Sequence, residues 1–85
     1  MGEGALGAKK FDDAAAHFRS AIGKTELAGE KDVYRADLAR ALTMAGKIDD
    51  AKKAWAEIIT HVDSPVAAEA RVRLGELNAA GAAKP

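Results

Sequence analysis

The chain contains no cysteine, so disulfides, thiolate metal sites and thiol nucleophiles are excluded, while the redox compartment stays open. Two prolines among 85 residues leave little to interrupt regular backbone, and only four residues are aromatic. No apolar run approaches the roughly 20 residues that span a bilayer, and no charged-then-apolar secretion signal opens the chain. Thirteen basic and thirteen acidic side chains cancel to a formal charge of zero. A neutral chain lacks the field that draws proteins to phosphate backbones or anionic membranes. Neither a nucleic acid nor a membrane is therefore expected as a partner. If Met1 is a natural start, the cytoplasm is the expected compartment.

What is present is alanine. Twenty-one alanines supply about half of the apolar residues, leaving 20 that are larger. A domain of this size buries only about 60% of its unfolded surface, so a core built on alanine is thin. Help from a partner, a second copy or a longer parent chain is expected.

Apolar positions recur at helical spacing in four stretches. Phe11, Ala14, Ala15, Phe18, Ala21 and Ile22 form one stripe, and Tyr34, Leu38, Ala41, Leu42 and Ala45 the next. Ile48, Ala51, Trp55, Ile58, Ile59 and Val62 form a third, and Val66, Ala70, Leu74 and Leu77 the last. No stretch alternates as a half-buried strand would, and the reading is all-α. Helices are predicted over 11–22, 32–45, 48–62 and 65–80, within one domain spanning 1–81. Asp12 and Asp13 would place negative charge at a helix start, where exposed amides favour it. Gly46 would end the second helix in a left-handed conformation, Asp49 would cap the third, and Ser64-Pro65 would open the fourth. Residues 23–32 read either as a loop or as a further turn of the first helix. Gly2, Gly4 and Gly7 weaken residues 2–8 to a short fraying helix, and residues 82–85 read as a disordered tail.

Self-comparison gives a repeat. Lys10-Phe11-Asp12-Asp13-Ala14 returns 37 positions on as Lys47-Ile48-Asp49-Asp50-Ala51, followed by Phe18 as Trp55 and Ile22 as Ile59. Leu38-Ala39 returns 36 positions on as Leu74-Gly75. A small residue where two helices cross, with a large ring one turn later, is what a close helix crossing needs. The pattern resembles the tetratricopeptide repeat, whose hairpin pairs Leu-Gly in its first helix with Ala-x3-Phe in its second. Ala14-x3-Phe18 and Ala51-x3-Trp55 match the second-helix part, Leu74-Gly75 the first-helix part, and Leu38-Ala39 is a conservative version of it. The copies diverge: Arg35 and Arg71 stand where an aromatic is usual, and the proline that closes a repeat appears only at Pro65.

The resemblance implies a short right-handed solenoid of antiparallel hairpins. Residues 9–22 would be a partial first repeat, 31–63 a full hairpin and 65–80 a capping helix with Glu69, Arg73 and Glu76 on its solvated outer side. The N-terminal edge would be open, either for self-assembly or because the chain ends a longer array. The resemblance also implies a non-enzymatic protein or peptide binder acting through a groove lined by first helices. Its lining would be Val33, Ala36, Asp37, Arg40, Thr43 and Met44, followed by Glu69, Val72 and Glu76, with Glu3 and Leu6 from the opening stub. A clamp for chaperone C-terminal tails is not expected, because the sole asparagine, Asn78, falls at a packing position.

Chemistry-bearing residues are few. His17 follows Asp13 by four positions, and His61 follows Glu57 by four, each the spacing of a surface helix pair. Two histidines without cysteine are poor material for zinc, and no metal or cofactor is expected. Ser20 and Ser64 have no adjacent base in sequence, and no glycine cluster follows a strand as a phosphate loop requires. A helix-turn-helix over 36–62 would open its recognition helix with Asp49-Asp50, facing phosphates with negative charge. No catalytic residue is assigned.

Overall fold

A computed structural model of the protein describes residues 2–82, with side chains from 9 to 80. Four helices follow one another: α1 (Gly2–Lys24), α2 (Ala28–Met44), α3 (Ile48–Ile59) and α4 (Ala67–Ala82). Each folds back on its predecessor, as short connections between helices require. The shortest dimension of the molecule, 13 Å, is about what two helix layers 8–10 Å apart would span. The molecule is a flat slab of hairpins, all-helical among the described residues.

The core falls into two clusters, with Leu77 packed against both. Ala15 of α1 meets Leu38, Ala41 and Leu42 of α2 and Ala51 of α3, with Phe18 and Ile22 packed alongside. A second cluster joins Ala36 and Ala39 to Trp55, Ile58 and Ala70, flanked by Val66, Leu74 and Leu77. Alanine at the crossings lets helices approach closely, and Trp55 and Ile58 fill what remains. The expected pairing of a small residue with a following ring is therefore what packs α3 into its neighbours.

Several expectations are corrected. Residues 2–8 do not form a separate stub; they continue α1 without a break, so no short helix stands as partner to residues 11–22. Three spaced glycines lower propensity without breaking a helix that the rest of α1 nucleates. Asp12 and Asp13 consequently lie within α1 rather than at its start, and Asp12 pairs with Lys47 at 2.9 Å. The 23–32 segment divides: Thr25 to Leu27 connect, and α2 begins at Ala28, earlier than expected, with Gly29 inside it. Asp49 does not cap α3; Lys47 occupies that position without a side-chain bond, and Asp49 and Asp50 sit in the first turn.

Other punctuation stands. Gly46 has φ +83° and turns the chain between α2 and α3. The Ser64 hydroxyl accepts a hydrogen bond from the Val66 amide at 3.3 Å, ahead of α4. Regular helix begins at Ala67 rather than residue 65, and α3 stops at Ile59 with Thr60 as its C-cap. Of the tail expected to be disordered over 82–85, Ala82 is the last residue of α4; residues 83–85 lie outside the described residues, as do the side chains of Glu3 and Leu6.

Candidate functional site

Between α2 and α4 runs a groove floored by Trp55 of α3. A hollow of about 380 Å³ is lined by Arg40, Thr43 and Met44 from α2 and by Arg73, Glu76 and Leu77 from α4. Met44 is 63% exposed at its edge. An exposed methionine off the packed stripe offers a pliable apolar contact. A smaller hollow on the other side of Arg40 and Met44 is lined by Phe11, Ala14, Phe18, Asp37 and Ala41. Arg40 and Met44 thus form a ridge between two apolar depressions.

Arg40 organises the groove. Its guanidinium lies 5.7 Å from the centre of the Trp55 ring, within cation–π range. It donates to Asp37 at 2.8 Å and to Glu69 across the groove at 2.5 Å. Arg73 adds Glu69 at 3.6 Å and Glu76 at 3.1 Å. The hydrogen bond from Arg40 holds the Glu69 carboxyl below its usual range, against the opposing effect of burial. The same bond raises Arg40 in turn. Of the three carboxylates beside these two guanidiniums, Glu69 and Glu76 belong to this groove and Asp37 to the neighbouring depression, so the groove's own charges balance.

Four of the expected groove residues, Arg40, Thr43, Met44 and Glu76, line the main hollow. Glu69 joins through Arg40, and Asp37 lines the neighbouring depression. Val33 and Val72 line neither, and both are exposed. Ala36 is corrected: it is fully buried in the second core cluster and lines no groove. Thr43 spends its hydroxyl on the Ala39 carbonyl at 2.8 Å. Glu69 and Glu76 were expected both on the solvated side of α4 and in the groove, and Arg73 on the solvated side alone; all three lie beside Arg40 or line its groove. Asn78 is exposed rather than packed. Trp55 and Leu77 were read chiefly as packing residues, and both also reach the groove. The repeat could have signalled Trp55, because a ring filling a crossing presents its remaining face to the adjacent gap.

A second constellation lies near the opposite end of α2. The Asp32 carboxylate is buried, accepts from Arg35 at 2.7 Å and meets His61 Nδ1 at 2.9 Å. Burial pushes the Asp32 carboxyl up, but hydrogen bonds from Arg35, His61 and Ser64 outweigh it and hold its pKa below the usual carboxylate value. His61 Nε2 faces Glu57 at 3.7 Å, as the four-residue spacing suggested. On that side it faces a carboxylate, where a Ser-His-Asp triad would place a hydroxyl. Among the described residues, no group of three or more His, Asp or Glu side chains is placed to hold a metal ion, and no helix is long and apolar enough to cross a membrane.

Compared with models of known families, with curated proteins and with solved structures, the chain matches none.

Proposed function

We propose that the chain is a non-enzymatic interaction module of the tetratricopeptide type, which holds a peptide segment of a partner protein in the groove between α2 and α4. The observation that carries this reading is the apolar hollow over Trp55, edged by exposed Met44 and framed by Arg40 and Arg73. The repeated Ala-x3-aromatic pattern and the hairpin-like packing of four helices support the family assignment. An apolar anchor side chain of the peptide fills the hollow above the buried Trp55 ring, displacing water from Met44 and Leu77.

Selection from a random displayed peptide library tests this directly. Enriched peptides share an apolar anchor residue, and their binding alters the fluorescence of Trp55, the sole tryptophan. Met44→Ala and Arg40→Glu each weaken binding at least tenfold while leaving helicity intact. Peptides that bind equally well to both variants would overturn the groove assignment.

A further inference from the structure

The two ends of the slab are complementary halves of an interface that the protein already contains. In the middle, α2 packs against α3. Ala36 and Ala39 of α2 are buried there against Trp55 and Ile58 of α3, all at 2% exposure or less. Moving 36 positions along carries that face of α2 onto α4: Ala36 becomes Val72, Ala39 becomes Gly75 and Asp32 becomes Ala68. All three are exposed, Val72 at 59%. A Cβ added at Gly75 would meet nothing within 4 Å.

The other half appears on α1. Moving 37 positions back carries Ala51, Trp55 and Ile58 of α3 onto Ala14, Phe18 and Ala21. The α3 residues are buried; their α1 counterparts are only half-buried, since Ala14 and Phe18 pack toward α2 alone where Trp55 meets both α2 and α4, and the far flank of α1, which Ala21 borders, has no helix packed on it among the described residues. Charge follows the same correspondence. Arg35 of α2 and Asp50 of α1's counterpart helix α3 line one cavity, and their equivalents at the open ends are Arg71 and Asp13.

We infer that the protein assembles with itself head to tail, the outer face of α4 in one copy packing on the open flank of α1 in the next, in the manner of α2 on α3. The occupant that fits is a second copy, because each end presents what the other lacks: small residues with Val72 on one side, Phe18 and Ala21 on the other. Such an interface is heterologous. It does not close at a dimer, and it produces chains whose length rises with concentration. It leaves the groove between α2 and α4 free.

Two variants that each block one end decide the matter. Val72→Glu places a charge on the α4 face, and Ala21→Glu places one on the α1 flank. Should Ala21→Glu lose helicity, His17→Glu replaces it, since His17 is exposed at the position of the partly buried Ala54. Light scattering on a sizing column is expected to show the unaltered chain growing past dimer as concentration approaches millimolar. Each variant alone remains monomeric, and an equimolar mixture gives a particle of twice the monomer mass and no larger. A monomeric mixture would overturn the inference. So would an unaltered chain that stays monomeric throughout, or a dimer that survives in either single variant.

Discussion

The Asp32 carboxylate oxygens lie 2.9 and 3.0 Å from His61 Nδ1, although 29 positions separate the two residues. Asp32 stands in the first turns of α2, and His61 in the turn after α3, so the contact ties the two ends of a hairpin together. At 1% exposure the carboxylate has exchanged water for protein donors. Arg35 supplies one set of donors from one turn along α2. A buried carboxylate with two cationic or polar partners is stable where one with none would be expelled or neutralised.

Replacing Asp32 by Asn keeps the shape and removes the charge. Arg35 and His61 then face a neutral group that must itself turn its amide to fit. A loss of about 1–3 kcal/mol at neutral pH is expected, the range for a buried hydrogen-bonded group left partly unmade. Urea unfolding measures it as a lower midpoint at unchanged slope. A variant as stable as the parent would show that the Asp32 contacts contribute nothing net.

The same residue sets an acid limit. Its folded pKa lies below the unfolded value, so its contribution is fully present above about pH 4, near the ordinary aspartate value. The contribution disappears as pH falls through the lower folded value. The stability gap between the parent and Asp32→Asn should therefore still be present at about pH 5 and shrink below about pH 4. A gap that persists undiminished in strong acid would remove the carboxylate charge from the explanation.

Two glycines are expected to respond in opposite directions. Gly46 holds φ +83° with open space around it, so Gly46→Ala meets backbone strain alone, about 1–2 kcal/mol. Gly75 sits within α4 at ordinary helical geometry, and Gly75→Ala should stabilise by about 0.5–1 kcal/mol. Thermal melts of both variants check the sign. Equal shifts would mean that the turn tolerates a side chain that its backbone should resist.

Helix number, the turn at Gly46 and the packing of Trp55 were legible because apolar spacing and left-handed turn chemistry are local. The fate of residues 2–8 was not, because glycines weaken a helix without ending it once the following turns are packed. Asp32–His61 escaped for a different reason: nothing in the four-residue neighbourhood of either residue names the other, and only the hairpin brings them together. Half of the groove was readable, since Arg40 and Met44 fall off the packed stripe. Ala36 was misplaced because a small residue on a helix face fits an open groove and a tight crossing equally well in sequence.

Arg40 has three partners yet should matter little to stability. Its side chain is 46% exposed, and ion pairs in contact with water contribute about 0–1 kcal/mol after screening. Arg40→Ala is expected to shift the urea midpoint only slightly, and the shift should shrink further in high salt. The same variant removes the ridge between the two depressions, so binding at the groove falls without unfolding. A large loss of stability would instead make Arg40 a structural residue, and its effect on binding would carry no information about the groove.

Trp55 and Phe18 occupy equivalent places in the repeat, but Trp55 is buried, at 2% exposure, while Phe18 is half-buried. Truncating it to alanine should cost about 3–5 kcal/mol. That is much of the stability available to a domain near the lower end of the usual ~5–15 kcal/mol range. Trp55→Phe installs the ring that the equivalent site already accepts and should cost less, roughly 1–2 kcal/mol. Phe18→Ala removes a half-buried ring and is expected to cost about half as much as Trp55→Ala in dilute solution, because less apolar area leaves contact. If α1 packs on α4 of another copy, the Phe18→Ala penalty grows with protein concentration while the Trp55→Ala penalty does not. Denaturant titrations at two concentrations a hundredfold apart separate the cases, since only an interface residue couples stability to mass action.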